Sequence, residues 1–248
     1  MIIGKNALSV LEPIGINSFM HTKLSLIGLF ALSIMTTSVY ANQIDPYESF
    51  NRPIDEFNAG FDKHAFKPVA EGYVAITPDP ARQAVHNFIS NLFEPETIVN
   101  DLLQGKFTQA VQDTARFIFN STFGLFGLID IATPMGLPYN NEDFGQTLAV
   151  WGWKDSDYVA LPFLGPSTVR DTSVKPLEIL YTFSYGFPIT AMKLIDMRSN
   201  LLPLDPMVDS ASDRYIFIRD SYLQQRQFRI NDGVSDNKQK LNSFDFSD

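Results

Sequence analysis

The stretch TPDPARQAVHNFISNLFEPETIVNDLLQG, residues 77–105, repeats apolar side chains at the spacing of an α-helix. Asp79 and Pro80 suit the N-cap and the first helical position, and Gly105 suits the position after a helix C-terminus. Pro95 interrupts the pattern, so we expect two short helices that meet there. The apolar side of the first helix consists of Val85, Phe88, Ile89 and Leu92. The apolar side of the second is expected to face inward and consists of Ile98, Val99, Leu102 and Leu103.

Helical patterns continue towards the N-terminus. Asp45, Pro46 and Glu48 suit the N-cap, N1 and N3 positions of a capping box, so a helix is predicted to begin there. Pro53 lies inside this helix, and we expect a kink or a restart at that residue. The apolar stripe of the helix continues past the proline and consists of Phe50, Ile54, Phe57 and Phe61.

Two longer helices are predicted later in the chain. One covers about Phe107 to Thr122 and carries on one side Val111, Ala115, Ile118 and Phe119. The other covers Ala211 to Phe228 and is striped by Tyr215, Ile218 and Tyr222. Between them, a further segment opens at Pro166 and runs through Asp171. Residues 157–163, DYVALPF, suit an extended segment, but one strand cannot form a sheet. We therefore predict an all-α fold, a single domain of short amphipathic helices.

The composition is that of a globular chain and excludes several classes of function. Of the 248 residues, 45% are apolar and 19% are charged, and the formal net charge is −9. This charge argues against binding to the nucleic-acid backbone, which requires clustered Lys and Arg. The sequence contains no cysteine, which excludes disulfides, thiolate nucleophiles and zinc–thiolate sites.

The N-terminal region has the pattern of a cleavable export signal. Lys23 precedes the apolar run Leu24–Met35, and Val39 and Ala41 occupy the −3 and −1 positions of a small-residue cleavage site. Met20 gives a conventional signal start, so the residues before it are interpreted as an upstream extension. The alternative is a buried N-terminal helix.

These patterns divide the chain into three parts. Residues 1–41 comprise the extension and the signal, and residues 42–232 are expected to form one domain. Residues 233–248, GVSDNKQKLNSFDFSD, are polar and are expected to be a disordered tail.

No residue of the sequence argues for an enzyme. His64 and His86 lie in helical segments with ordinary neighbours, and Ser167 follows a proline at a helix start, where a capping role is expected. The scattered acidic residues, which are expected to be solvated or ion-paired, include Asp101, Asp130 and Asp171. Glycine-rich phosphate loops, HExxH and metal-spaced carboxylates are missing from the sequence. We therefore predict no catalytic residue, no cofactor and no metal site.

Residues 119–139, FNSTFGLFGLIDIATPMGLPY, are too apolar for a water-facing loop and too interrupted for a membrane-spanning helix. Gly124, Gly127 and Pro134 weaken any single helix, and Asp130 is the one charge. Two interpretations follow. One is a buried hairpin in an ordinary core. The other is a re-entrant hairpin that enters lipid from one side, where irregular backbone must be shielded by protein or border a wet cavity.

Several further motifs occur in a fixed order around these two stretches. They are DPYESFNR at 45–52, KPVAEGY at 67–73, ARFIFNSTFGLFGLIDIA at 115–132, DFGQTLAVWG at 143–152, LPFLGPSTVRD at 161–171 and SDRYIFIRDSYLQQRQ at 212–227. Each motif alone is weak, but the ordered set is highly specific. With residues 78–105, it resembles the MlaA/VacJ family of Gram-negative outer-membrane proteins that maintain lipid asymmetry.

The resemblance implies a ring of helices that lies in the inner leaflet of the outer membrane and surrounds an amphipathic channel. Members of the family bind trimeric outer-membrane porins. They take glycerophospholipids mislocalised to the outer leaflet and pass them to a soluble periplasmic carrier. Such transport breaks no covalent bond, which agrees with the missing catalytic pattern. Two other functions remain as alternatives: a periplasmic phospholipid hydrolase and a soluble helical interaction module.

The resemblance also implies where the lipid pathway lies. The apolar hairpin is similar to the family's loop that controls the channel, and its candidate residues are Phe123, Gly124, Phe126, Gly127, Leu128, Ile129 and Asp130. Asp130 is expected to cap the second arm of a helical hairpin or to face the wet lumen. A membrane-facing or gating stripe on the first helix is assigned to Phe50, Phe57, Asn58 and Phe61.

The family resemblance predicts a location at the periplasmic face of the outer membrane. Members typically carry a cysteine that is acylated after signal cleavage. The corresponding stretch here, TTSVYANQ at 36–43, contains no cysteine. Either the anchor is absent, or the start of the gene is wrongly assigned. With cleavage after Ala41, we expect a mature N-terminus that begins at Asn42 and carries no lipid.

Overall fold

The computed structural model describes residues 45–233, and helices make up nearly all of the regular structure in this range. The α-helices are α1 Glu48–Phe61, α2 Lys67–Ile76, α3 Asp79–Leu103, α4 Phe107–Thr122, α5 Phe144–Val150, α6 Val169–Ser184, α7 Phe187–Leu201, α8 Asp205–Asp209 and α9 Arg214–Ile230. A π-helical turn covers Asp62–Phe66, and 3₁₀ turns cover Thr133–Met135 and Leu202–Leu204. The prediction of an all-α fold is confirmed. The predicted signal and nearly all of the predicted tail lie outside the described residues.

The helices pack mainly in pairs: α3 along α4, α2 against α7, and α5 against α6. Helix α4 has the predicted bounds. Helix α9 begins at Arg214 rather than at Ala211, because Asp213 caps it by accepting a hydrogen bond from Ile216 N at 3.1 Å. The sequence patterns do not predict α2, α5, α7 and α8. In α7, apolar residues occur all round the helix, so no stripe marks it.

Residues near Tyr158 do form a sheet, which corrects the expectation of a lone extended segment. Strand β1, Tyr158–Leu161, pairs antiparallel with β2, Gly165–Thr168. Phe163 and Gly165 have φ angles of 63° and 78°, so the chain reverses within three residues. Ser167 lies in β2, and the cap of α6 is instead Thr168, whose side chain accepts a hydrogen bond from Asp171 N.

Helix α3 is continuous over 25 residues, so the predicted restart at Pro95 is wrong. Proline removes one hydrogen bond from a helix, at a cost of about 3 kcal/mol. Phe93, Glu94 and Thr97 around it are buried, and their packing holds the helix together across the interruption. The predicted start is also displaced by one residue. Pro78 takes the N-cap position, and Asp79 is already helical.

Helix α1 likewise runs through Pro53 from Glu48 to Phe61, without a restart. The predicted capping box does not form. The Asp45 carboxylate accepts a hydrogen bond from Tyr47 N at 2.9 Å, and Glu48 pairs with Arg52 Nε at 2.6 Å. The acidic residues at this end therefore hold neighbouring groups rather than the first helical amides.

The buried interior of the described residues is mostly polar. Nine apolar residues are buried there, against twenty-one polar or charged ones. A small apolar cluster is formed by Tyr158, Ala160 and Tyr215, which join β1 to α9. Large apolar side chains are exposed on every one of the longer helices. Across residues 45–233, none of the helices combines the length and the apolar character needed to span a bilayer.

Helix α4 shows this arrangement most clearly. Val111 is 70% exposed, whereas Asp113 is fully buried, together with Arg116 on the same side. The same is true of the second half of α3, where the residues predicted to face inward, Val99, Leu102 and Leu103, are exposed. That prediction is wrong because a helical repeat identifies two faces without showing which of them is buried.

Candidate functional site

The segment after α4 folds into a tight loop rather than into the second arm of a helical hairpin. Helix α4 ends at Thr122, and the next helical element is the 3₁₀ turn Thr133–Met135. Leu125, Phe126 and Gly127 have successive φ angles of 51°, 59° and 92°. These left-handed residues reverse the chain, so no second helical arm forms. The predicted helical hairpin is corrected to a loop with one short 3₁₀ turn.

Backbone hydrogen bonds close the loop on itself. Gly127 N donates to Asn120 O at 2.9 Å, and Ile129 N donates to Gly124 O at 2.9 Å. Backbone groups that lack a partner are costly in an apolar environment. An irregular segment in apolar surroundings therefore requires backbone hydrogen bonds within itself, as this loop has.

Gly124 and Gly127 are points of close approach. A β-carbon on Gly124 would lie 2.5 Å from Asn120 O and would also collide with Ile129 O. A β-carbon on Gly127 would lie 2.5 Å from Asn91 Cβ and 2.7 Å from Asn91 Nδ2. The two glycines therefore set how closely the loop packs on α3 and α4.

The outer face of the loop is apolar and exposed. Phe126 is 78% exposed, and Phe123, Leu128 and Ile129 are exposed as well. The alternative of a hairpin buried in an ordinary core is therefore wrong for these four side chains. Phe50 on α1 is also exposed. Contact of these residues with acyl chains stays a prediction.

Asp130 anchors the end of the loop. Thr133 donates to its carboxylate from N at 3.1 Å and from Oγ1 at 2.5 Å, so Asp130 holds the first residue of the 3₁₀ turn, whose N-cap is Ala132. Asn120 donates to Asp130 at 3.2 Å and accepts from Ile131 N at 2.8 Å. Burial by itself raises the pKa of Asp130, but the hydrogen bonds from Thr133 and the charge of Arg116 outweigh it and lower the pKa. The carboxylate is held ionised.

Arg116 lies beneath the loop and joins it to α3. The Arg116 side chain is 5% exposed and that of Glu94 is 3% exposed, with Nε and Oε1 3.3 Å apart. The two atoms face each other but are not aligned for a hydrogen bond. Arg116 Nη1 donates to Leu137 O at 2.6 Å and to Thr133 Oγ1 at 2.9 Å. Burial raises the pKa of Glu94 to about 8, against the opposing effect of Arg116.

A second buried acidic pair lies between α3 and α4. Asp101 and Asp113 are both fully buried, and Asn140 donates to Asp113 at 3.0 Å. Neither oxygen of Asp101 has a donor among the described residues. Burial, a hydrogen bond with Asp113 and its charge raise the pKa of Asp101 to about 8. Asp101 is thus neither solvated nor ion-paired, contrary to expectation. The raised pKa favours its protonated form, in which the carboxyl is a donor to Asp113.

The stripe on α1 meets the turn of the β-hairpin. The rings of Phe57 and Phe61 each pack edge-on against Phe163, with centroids 5.0 Å apart. Asn58 Nδ2 donates to Leu161 O at 2.9 Å, and its Oδ1 accepts from Phe163 N at 2.8 Å. Asn58 therefore fixes the turn to α1, and the aromatic side chains beside it form an apolar surface cluster.

Sequence comparison adds an independent observation. A profile described as MlaA lipoprotein matches residues 43–229, most of the chain. The chain belongs to the MlaA lipoprotein family. Two similar MlaA proteins, both named intermembrane phospholipid transport system lipoprotein, come from Shigella flexneri and Haemophilus influenzae. The first is 35% identical over 76% of this chain and 79% of its own length. The second is 30% identical over 86% of this chain and 93% of its own length.

A solved structure also matches the MlaA-family chain. It is described as "Structural basis for maintenance of bacterial outer membrane lipid asymmetry". The TM-score is 0.67 at 35% identity, and the match covers 76% of this chain and all of the other. The fold and the family that the sequence motifs imply are therefore confirmed.

Sequence reasoning missed an ion network that joins three of the MlaA-like motifs. Arg226 Nη1 donates to Asp143 at 2.5 Å, and Arg226 Nη2 donates to Asp171 at 2.9 Å. Arg170 Nε lies 3.0 Å from the same Asp171 carboxylate. A β-carbon on Gly145 would lie 2.9 Å from Asp171 Cγ and would collide with Arg226. Gly145 is the sequence feature that could have indicated this network, because a glycine leaves room for charged side chains to pass close to the backbone.

The residues considered for catalysis have structural partners in this MlaA-family fold. His64 Nδ1 lies 2.7 Å from Gly60 O, and His86 Nδ1 lies 2.9 Å from Asp196 Oδ2. Ser167 is buried and accepts a hydrogen bond from Thr172 Oγ1 at 3.1 Å. Within residues 45–233, no cluster of three or more His, Asp or Glu side chains is arranged to hold a metal ion.

Proposed function

We propose that this MlaA-family protein is a non-enzymatic component of an intermembrane phospholipid transport system. It removes mislocalised glycerophospholipids from the outer leaflet of the outer membrane through an amphipathic channel. A soluble periplasmic carrier receives the lipid. The names of the relatives, which refer to phospholipid transport, support this assignment.

The observation that carries the proposal is the reversed distribution of polarity. Ionised and hydrogen-bonding side chains such as Arg116, Asp113 and Arg226 are buried, while large apolar side chains cover the outside. A soluble domain normally shows the opposite arrangement. Apolar surfaces of this extent mark contact with a membrane or a partner. A helical protein that lies within one leaflet and encloses a polar path accounts for both the apolar exterior and the polar interior.

The physical advantage of such a path is large. Moving an acyl chain into water costs about 0.8 kcal/mol for each exposed methylene. A protein that keeps the head group among polar side chains, while the tails stay in apolar surroundings, removes much of this barrier. No covalent step is needed, so binding surfaces alone are sufficient for function.

In this proposal the loop from Phe123 to Asp130 borders the lipid path. Its apolar face contacts acyl chains, and its polar underside rests on Asn120 and Arg116. The protein lies at the periplasmic face of the outer membrane, beside a porin trimer that holds it there. The family resemblance supports the porin and the carrier.

Lipid asymmetry in the bacterium that encodes the protein provides the test. Deletion is expected to increase the phospholipid that an external amine-reactive label reaches, and the wild-type gene is expected to reverse this. Phe126→Asp should fail to do so, because a charge in hydrocarbon costs at least about 2.5 kcal/mol. Phe126→Leu is the matched control and should complement.

Two results would contradict the proposal. One is unchanged outer-leaflet phospholipid after deletion, combined with a soluble pool that carbonate extraction releases completely. The other is degradation of phospholipid by the purified protein that is lost in Ser167→Ala, which would indicate a hydrolase.

A further inference from the structure

A cavity of about 290 Å³ lies beside the C-terminal end of α9, at the far end of the loop segment. Small-molecule sites typically occupy about 300–1,000 Å³, so this cavity suits a head group and not a whole diacyl lipid. Its walls carry four amide side chains, of which Gln146 is one, together with two aromatic, two acidic and one basic side chain: Tyr139, Phe228, Glu142, Asp232 and Arg229.

Gln146 lines the cavity and carries a hydrogen-bond acceptor that has no donor. The residue is 1% exposed, and its Nε2 donates to Asn141 O at 2.7 Å, which fixes the orientation of the amide. Its Oε1 is buried without a donor among the described residues. A buried acceptor in this state is unfavourable, and an N–H group from a ligand would satisfy it.

Arg229 supplies a positive charge that lowers the pKa of Asp143 from a distance but forms no close ion pair among residues 45–233. Arg226, one turn earlier on α9, is paired with Asp143 and Asp171. Arg229 lines the cavity, and no carboxylate among residues 45–233 forms an ion pair with it. A guanidinium group carries several donors in a fork that matches the oxygens of a phosphodiester.

The cavity also contains negative charge. Glu142 and Asp232 line it, and both are paired with Lys106, which is not among the lining residues. The wall therefore presents one guanidinium, two partly neutralised carboxylates and a free amide oxygen. This mixture suits a ligand with both charges better than a simple anion.

We propose that the cavity binds the zwitterionic head group of an amine-bearing glycerophospholipid. The phosphodiester pairs with Arg229, and the ammonium donates to Gln146 Oε1 and to the carboxylates beside it. Tyr139 and Phe228, which are both exposed, cover the glycerol at the rim. This inference rests on the proposed function and specifies the lipid class that the protein selects.

Soluble head groups test the site in the purified full chain. Calorimetric titration with glycerophosphoethanolamine should give binding at least about 10-fold tighter than glycerophosphoglycerol, which lacks the ammonium, or ethanolamine, which lacks the phosphate. Arg229→Gln should weaken binding by about 10-fold or more. Lys154→Gln removes the same charge from an exposed position elsewhere and should bind as the wild type does.

Arg229→Lys keeps the charge but not the forked donors, so its affinity for glycerophosphoethanolamine should lie between those of the wild type and Arg229→Gln. Equal affinity for the three probes, or no effect of Arg229→Gln, would overturn the inference. Transfer of lipid between vesicles separates this failure from that of the proposed function. If phosphatidylethanolamine and phosphatidylglycerol move equally fast with wild type and Arg229→Gln, the head-group site is wrong while transport stands. If neither lipid moves, the transport proposal itself fails.

Discussion

Gly127 lies directly on the side chain of Asn91, where a β-carbon at position 127 would come within 2.5 Å of Asn91 Cβ. Asn91 is buried on α3, and its Nδ2 donates to Ser121 Oγ at the end of α4 at 2.9 Å. One glycine thus brings the loop, α3 and α4 into contact. The position of the loop depends on the absence of a side chain at this residue.

Gly127→Ala should lift the loop from α3. The collision with Asn91 adds to the strain of an alanine at φ +92°, so we expect a loss of about 1–3 kcal/mol in the free energy of unfolding. Outer-leaflet phospholipid should rise in cells that carry the variant. Chemical unfolding and surface amine labelling measure the two effects.

Gly136→Ala is the matched control for Gly127→Ala. Its φ of +83° imposes similar backbone strain, but a β-carbon there has open space around it. The difference between the variants therefore reports the contact with Asn91. Equal losses from both would show that the contact is unimportant. A displaced loop with unchanged lipid asymmetry would remove the loop from the lipid path.

Gly145→Ala should destabilise the fold severely, because its β-carbon would push apart the Asp171–Arg226 pair. Breaking a buried ion pair costs about 3–5 kcal/mol. Gly72→Ala in α2 is the contrasting variant, since nothing lies within 4 Å of its β-carbon. That change should stabilise the helix by about 0.5–1 kcal/mol. Thermal unfolding in one detergent compares them, and similar melting temperatures would contradict the packing described for Gly145.

Arg116→Gln should loosen the segment that follows the loop. The substitution removes the charge beside the ionised Asp130 and the donors to Thr133 Oγ1 and Leu137 O. Hydrogen exchange over residues 123–137 should become faster, and the free energy of unfolding should fall by about 1–3 kcal/mol. Arg52→Gln breaks a half-exposed pair and should cost at most about 1 kcal/mol. Unchanged exchange in Arg116→Gln would mean that the loop is held by its backbone alone.

The wild-type protein is expected to lose stability at alkaline pH because of Asp101, and Asp101→Asn should prevent this loss. An unfolded Asp titrates near 3.9, while burial and Asp113 raise the pKa of the folded Asp101 to about 8. The stability that its proton contributes is complete below about pH 4 and is lost as the pH rises through about 8. Asparagine donates to Asp113 at every pH, so the variant should gain most, about 1–3 kcal/mol, near pH 9.

Unfolding curves at about pH 6 and pH 9 measure this difference. Asp79→Asn changes an acid whose side chain is 88% exposed and should show no such pH dependence. A wild-type stability that does not fall between these two pH values would contradict a protonated Asp101.

The places where sequence reasoning failed share a cause. Pro95 predicts a restart of α3, but tertiary packing around Phe93 and Thr97 holds the helix continuous. Asp101 has the sequence context of a solvated acid and lies fully buried against Asp113 on the next helix. The left-handed turn at Leu125 and Phe126 carries no glycine at either position and was not predicted. In the first two cases residues distant in the sequence determine the outcome, whereas backbone hydrogen bonds within the loop hold the turn.

The sequence by itself determined the helical class, the bounds of α4 and the family, because apolar spacing and ordered motifs are local properties of the chain. It also located the segment with exposed apolar residues between Phe123 and Ile129. Only the tertiary structure decided which face of each helix is buried. The same 3.6-residue repeat is compatible with either face inward, and the choice depends on charged partners such as Arg226 with Asp143 and Asp171. These charged residues are stable inside the fold only because distant parts of the chain bring opposite charges and hydrogen-bond partners to them.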